Sequence, residues 1–323
     1  MERAGANGIE TDVSFDATGL PVETFHGVPC DCGRHCYHSE KFVKFVQHVA
    51  KLTTPPAENR LFLVLFDLKL KDLKQTHQKV AAGRHLAELI HKNLYEPYQK
   101  VTRISSRSGQ EQYIHIQPPV RVVMSINHAV DMPLVKSFIG YMADNRLDFM
   151  RQQVGFDVGM NDDLNEISAA WDQLNGVTFN IWQGDGLTNC ANIIRGTQRL
   201  KQAIDIRNGQ GHFRKVYYWT ADIMYHIRAV MRFGVDAVLT NQPQRVVQVL
   251  GEDEFKHKYR LALAYDDPFQ QFLIQASASK MSPPSLGEAA ETVTNLHQTS
   301  KNFIKTLPDG ISAAIKKVHQ TIG

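Results

Sequence analysis

Up to Thr240, short apolar and β-branched runs alternate with stretches whose apolar positions recur every three or four residues. The runs are Ile9–Phe15, Leu61–Leu68, Val120–Ile126, Val154–Val158, Val177–Trp182, Lys215–Trp219 and Ala237–Thr240, which predicts seven strands. Glu40–Leu52, Thr76–Asn93, Pro133–Arg146 and Asn192–Ile206 carry the spacing of amphipathic helices. Strand followed by helix followed by strand means parallel pairing. The expected fold is therefore α/β, a TIM (β/α)8 barrel whose visible units fall one strand short of the eight that close it. Met1–Asn7 reads as the tail of a helix ending in a glycine turn. A gap in a barrel wall exposes unpaired backbone donors and acceptors, so the pattern predicts that the first strand is missing from this chain; the alternative is a seven-stranded barrel.

After Asn241-Gln-Pro243 the alternation stops. Ala264–Phe269 is a polar turn with an aromatic anchor, and Ser282–Ser285 reads as a linker. Ile311, Ala314, Ile315, Val318 and Ile322 then line one face of a helix, beside Lys316 and Lys317. Such a helix could rest on a membrane; its apolar face is modest, which favours packing on its own protein. The expected division is a barrel domain over 1–275 and a linker with a helical extension over 276–323.

Composition narrows the partners. The 323 residues carry a net charge of +3, too balanced to argue for nucleic acid. No apolar run approaches the roughly 18 residues of a membrane span, and the N-terminus has neither the basic flank nor the apolar core of a signal peptide. Four cysteines stand at 30, 32, 36 and 190. With His35 and His38, the first three could form a zinc knuckle; in an oxidising compartment the four could form two disulfides. Adjacent bridging of Cys30 to Cys32 would be strained.

The candidate chemistry sits at the ends of the strands, where barrels of this kind place their sites. Glu10 and Asp12 are two apart in a strand-like run and leave the same face, as do Asp67 and Lys69. An acid pair on a strand is often only a solvated face. Three converging carboxylates, however, repel one another unless a cation joins them, and hard oxygen ligands suit Mg²⁺ or Ca²⁺. Lys69 would then face a phosphate oxygen, and His26, in the following loop, is placed for proton transfer. Trp182-Gln-Gly-Asp-Gly186 and Tyr217-Tyr-Trp219-Thr-Ala-Asp222 end later strands with aromatics and acids, the combination that holds a quaternary ammonium. Rim packing is the competing reading of Tyr217 and Trp219.

Taken in order, Gly8-Ile-Glu-Thr-Asp-Val-Ser-Phe15, His26-Gly-Val-Pro-Cys-Asp-Cys-Gly-Arg34, Phe66-Asp-Leu-Lys69, Trp182-Gln-Gly-Asp-Gly-Leu-Thr-Asn-Cys190, Lys215-Val-Tyr-Tyr-Trp-Thr220 and Thr240-Asn-Gln-Pro243 resemble the sphingomyelinase D family of spider and tick phospholipases D, the dermonecrotic toxins. The match runs from about residue 3 to about 270, and the barrel is similar to that of glycerophosphodiester phosphodiesterases. The resemblance implies a Mg²⁺ site at Glu10, Asp12 and Asp67, with His26 as one of two catalytic histidines and Lys69 on the phosphate. It places Tyr217, Trp219 and Asp222 at the choline end. It also implies pairing of Cys30 with Cys36 and of Cys32 with Cys190, a barrel bottom plugged by Ala264–Phe269, and secretion.

The implied reaction is headgroup release from sphingomyelin or choline lysophospholipids at a membrane surface. The substrate's own hydroxyl attacks phosphorus and leaves a cyclic phosphate; a monomeric enzyme is expected. Two departures stand out. The family's other catalytic histidine belongs to the first strand, so its absence would impair this chain, and Gly184 occupies a position where the family usually has serine. The alternatives are a non-catalytic lipid-binding paralogue and a glycerophosphodiesterase that attacks with water.

Overall fold

The strand Leu63–Lys69 shows how the wall is built. Val64, Phe66 and Leu68 join a large cluster under the helices, while Leu63 and Leu65 belong to a separate inner cluster. Alternation along a pleated strand produces this division. Phe66 meets Phe42 of the flanking helix edge to face, with ring centroids 5.7 Å apart.

The computed structural model describes residues 5–271 except 28–29, 33–34, 58–60, 108–117, 175–179, 193–194 and 210. The strands are β1 Gly8–Phe15, β2 Pro21–Thr24, β3 Glu40–Lys41, β4 Leu63–Lys69, β5 Arg121–Ile126, β6 Val154–Val158, β7 Ile181–Gly186, β8 Phe213–Trp219 and β9 Ala237–Val238. The helices are α1 Phe42–Thr53, α2 Thr76–Ile90, α3 Glu96–Arg107, α4 Met132–Asp144, α5 Asp148–Arg151, α6 Leu164–Asp172, α7 Gln198–Asn208, α8 Met224–Phe233 and α9 Pro243–Leu250. Their sheet order is β3-β2-β1-β4-β5-β6-β7-β8-β9. From β1 through β9 the pairing is parallel, and β2 and β3 add an antiparallel edge.

The sheet is curled. In a flat sheet β4 and β8 would lie four strand spacings apart, about 19 Å, yet Leu63 and Leu65 share the inner cluster with Trp182 of β7 and Tyr217 of β8. Phe269 joins the same cluster, Trp182 Nε1 donates to the Pro268 carbonyl at 3.1 Å, and Arg121 donates to the Ala264 carbonyl at 2.9 Å. The aromatic anchor thus fills the barrel at the N-terminal ends of the strands. Asn7 Nδ2 donates to the Ala262 carbonyl at 2.8 Å, tying the approach to β1 to that segment. Among the described residues no ladder joins β1 to β9.

All seven expected strands are present; Val154–Val158 keeps its bounds and the other six shift. The largest shift is in β7, expected over Val177–Trp182 and found at Ile181–Gly186. Gly184 and Gly186, beyond the expected end, both lie within the strand, where neighbouring β8 crowds them. A Cβ on Gly184 would lie 2.7 Å from the Tyr217 ring, and one on Gly186 would overlap the Trp219 backbone. The expected helix Asn192–Ile206 begins only at Gln198, since the Asn192 side chain accepts from the Leu187 N–H and the Tyr218 hydroxyl, both at 3.0 Å. Glu40 and Lys41 pair with β2 before α1 starts, and the pattern at Thr76–Asn93 continues through a π turn, His91–Tyr95, into α3. The linker at Ser282–Ser285 and the amphipathic face of residues 311–322 lie outside the described residues, as does Arg34.

Candidate active site

β1 and β4 pair so that Asp12 stands opposite Asp67 and Ser14 opposite Lys69. Period-two alternation then sends Glu10, Asp12, Asp67 and Lys69 to the inner wall, above the apolar layer of Leu63 and Leu65. Ligand oxygens of Glu10, Asp12 and Asp67 all lie within 4.8 Å of one another, the one such group among the described residues. Lys69 Nζ lies 2.7 Å from Asp12 Oδ1 and 2.6 Å from Asp67 Oδ2.

Removal from water raises the pKa of Asp67, with Lys69 pulling the other way and Asp12 adding to the rise. The same desolvation works against the Lys69 ammonium, but the carboxylates of Asp67 and Asp12 outweigh it and its pKa is raised. The lysine is therefore a fixed positive charge beside a concentrated negative one. Three carboxylates so close together, with a lysine offsetting only part of their charge, match the donor set of a hard divalent cation.

His26 reaches this mouth by a route the strand pattern did not reveal. β2 turns back antiparallel on β1, Val13 facing Thr24, and the Phe25 N–H donates to the Asp12 carbonyl at 3.2 Å. The next residue, His26, is exposed, and its Nδ1 lies 2.8 Å from the Gly27 carbonyl. A carbonyl only accepts, so Nδ1 carries the proton and Nε2 of the neutral ring is the free acceptor. A protonated ring at this position would lower the Asp67 pKa.

Opposite the acids, the inner wall continues in register: Asp67 pairs with Ser125, Ser125 with Asp157, and Gly184 with Tyr217. Asp157 is fully buried. Its Oδ2 accepts from the Tyr217 hydroxyl at 2.7 Å and the Ser125 hydroxyl at 2.8 Å, and its Oδ1 from the Gly184 N–H at 3.0 Å. Burial pushes its pKa up to about 6 against the pull of those donors. The buried Tyr217 hydroxyl is held well above its ordinary range, first by desolvation and then by Asp157. Trp219 packs on the inner cluster, and its buried Nε1–H has no protein acceptor among the described residues.

Asp222 lies at the rim rather than in the wall. Oδ1 accepts from the Asn241 N–H at 2.7 Å and Thr240 at 3.0 Å; Oδ2 accepts from Asn189 at 2.8 Å and the Asn241 side chain at 2.9 Å. Burial raises its pKa but these donors outweigh it, so the net shift is downward. Asn189 also exchanges bonds with the Cys32 backbone at 3.0 and 3.1 Å. Disulfides join Cys30 to Cys36 and Cys32 to Cys190, each with Cα atoms 5.7 Å apart. That leaves no thiol for a zinc knuckle.

Of the residues singled out by sequence, Glu10, Asp12, Asp67 and Lys69 are thus in direct proximity, His26 follows the residue bonded to the Asp12 carbonyl, Tyr217 and Trp219 belong to the inner wall, and Asp222 organises the rim. Sequence reasoning missed Ser125 and Asp157, although both interrupt apolar strands at inner-face positions. It also assigned no role to Asp31, which accepts from Thr188 at 2.5 Å and from Asn241 at 3.3 Å, or to Asn189 and Asn241. Those contacts span loops far apart in the chain.

A family model described as "Dermonecrotic toxin SPH" matches residues 1–269. A dermonecrotic toxin of Loxosceles deserta is 39% identical over 272 residues, covering 83% of this chain and 92% of the toxin. One from Sicarius patagonicus is 37% identical over 274 residues, covering 83% and 96%. Among solved structures, a glycerophosphodiester phosphodiesterase from Parabacteroides distasonis aligns at a TM-score of 0.42 and 15% identity, over 77% of this chain and 85% of that one.

Proposed function

The chain belongs to the dermonecrotic toxin family, and from that premise we propose that it is a secreted, Mg²⁺-dependent phospholipase D of the sphingomyelinase D type. Its substrate would be sphingomyelin or a choline lysophospholipid at a membrane surface. The observation that carries this reading is the inner-wall group of Glu10, Asp12 and Asp67, braced by Lys69, with His26 near enough to act on Asp67.

Glu10, Asp12 and Asp67 would hold Mg²⁺, which when bound supplies charge neutralisation for a phosphate. Lys69, already fixed as a cation in the mouth, would bind a non-bridging phosphate oxygen. The substrate's own hydroxyl oxygen forms the new bond to phosphorus as the bond from phosphorus to the choline oxygen breaks, and the hydroxyl proton ends on choline. His26, with Nδ1 anchored, presents Nε2 as the group that moves this proton. Tyr217 and Trp219 would wall the headgroup pocket, and Asp222 would hold the rim in place.

Two further features support a lipid substrate outside the cell. Val130, Met160, Ile223 and Tyr225 are exposed apolar residues that follow β5, β6 and β8, at the same end of the barrel as the acids. Both disulfides suit an oxidising compartment. The test is choline release from sphingomyelin and lysophosphatidylcholine with Mg²⁺ and with EDTA, comparing the protein with Asp12→Asn. Metal-dependent release lost in the variant supports the proposal; equal release from both proteins sinks it.

A further inference from the structure

Gly184 stands where the family resemblance would put a serine, and the structure shows what its missing side chain permits. A Cβ at this position would meet Tyr217 Cζ and the Tyr217 hydroxyl oxygen at 2.7 Å and Cε1 at 3.2 Å. The first two distances are closer than side chains pack. The tyrosine has little freedom to give way, because its hydroxyl donates to the fully buried Asp157 at 2.7 Å and its ring is in the inner cluster with Leu65, Val123 and Trp182. Asp157 is itself held by the Ser125 hydroxyl and by the Gly184 N–H. The glycine therefore serves the tyrosine twice: its backbone helps fix the acceptor, and its missing Cβ leaves space for the ring.

We propose that Gly184, Asp157 and Ser125 are positioning residues that seat Tyr217 against the β7 backbone, and that the seated ring sets the depth of the headgroup pocket. This rests on the phospholipase reading for what enters the pocket, but the seating itself follows from the contacts above. With a side chain at 184 the ring is driven off Asp157 into the barrel lumen, the pocket becomes shallower, and a bulky trimethylammonium head is penalised more than a small ammonium one. Neither Gly184 nor Asp157 needs to touch substrate for this to hold.

Two readouts test the proposal. The first is the ¹³C resonance of the tyrosine Cζ in protein labelled at that carbon, assigned through Tyr217→Phe. Gly184→Ser and Asp157→Asn are each expected to shift the Tyr217 signal, and Gly184→Ala, with a single added carbon, serves if the serine variant does not fold. The second is steady-state turnover of lysophosphatidylcholine and lysophosphatidylethanolamine. Gly184→Ser is expected to lower kcat/KM for the choline lipid about tenfold, through KM with kcat nearly unchanged, and to lower it less for the ethanolamine lipid. In a Tyr217→Ala background the same substitution should cost little, since the ring it displaces is gone. An unmoved tyrosine resonance in both Gly184→Ser and Asp157→Asn, or an equal cost of Gly184→Ser with and without the ring, overturns the proposal. Absence of turnover in the wild-type protein instead sinks the phospholipase reading, and the tyrosine resonance then decides the seating by itself.

Discussion

Asp12 and Asp67 are register partners on adjacent parallel strands, and Lys69, two residues beyond Asp67, reaches back to within 2.7 Å of one and 2.6 Å of the other. Two strands thus supply both the anionic cluster and the cation that braces it. Because the pairing is parallel and in register, the cluster forms whenever β1 and β4 dock, and no loop has to find its place first.

The metal-site reading predicts that Asp12→Asn and Asp67→Asn each weaken Mg²⁺ binding, by about tenfold or more, because affinity at oxygen sites follows the number of charged ligands. Isothermal titration of the folded variants measures this directly. Unchanged affinity in both would remove these residues from the site.

Lys69→Met is expected to lower kcat/KM by about 10²- to 10³-fold, the usual cost of losing one preorganised charge on a reacting oxygen. Mg²⁺ binding should survive or tighten, since a cation competing for Asp12 and Asp67 is gone. A variant that loses metal binding along with activity would assign Lys69 to holding the site together rather than to the phosphate.

How much of this was legible from sequence depends on how local each feature is. The two-residue spacings Glu10/Asp12 and Asp67/Lys69 announce a shared face because a strand repeats every two residues, and the alternation of runs announces the parallel wall. The hairpin that returns His26 to β1 was not legible: Pro21–Thr24 is only four residues long and its pairing depends on Asp16–Leu20 closing the turn. Nor was the true end of β7, since Gly184 and Gly186 extend the strand where Tyr217 and Trp219 on the next strand leave no room for a side chain. The Asp31, Asn189, Asp222 and Asn241 network joins residues up to 210 positions apart, and no local pattern encodes such a contact.

Asp157 makes stability depend on pH in a defined direction. Its native pKa, about 6, is above the ordinary 3.8, so the native state holds the proton more tightly than the unfolded chain. The stabilisation from this group is complete below about pH 4, falls as pH rises towards 6, and is gone above that, a change of up to about 3 kcal/mol. Urea denaturation of the wild type and Asp157→Asn at pH 4.5 and pH 7.5 isolates it. The wild type should lose stability relative to the variant at the higher pH; a constant difference between the two proteins contradicts the assignment.

The Cys32–Cys190 disulfide closes a sequence separation of 158 and anchors the loop that carries Asn189. Replacing both cysteines by alanine should cost about 2–5 kcal/mol of stability. Activity should fall further than stability alone explains at temperatures where the variant is still folded, because Asn189 bridges Cys32 to Asp222. Thermal melts alongside turnover at 20 °C, a temperature chosen for the assay, separate the two effects.

On the proposed function, the substrate's own hydroxyl, not water, attacks phosphorus. ³¹P NMR of sphingomyelin and lysophosphatidylcholine incubated with the protein and Mg²⁺ tests it most directly. A new cyclic phosphate resonance is expected, growing in step with free choline and absent with Asp12→Asn. A linear phosphomonoester as the first product would assign the site to hydrolysis, and an unchanged spectrum from folded, Mg²⁺-loaded protein would contradict the enzymatic reading altogether.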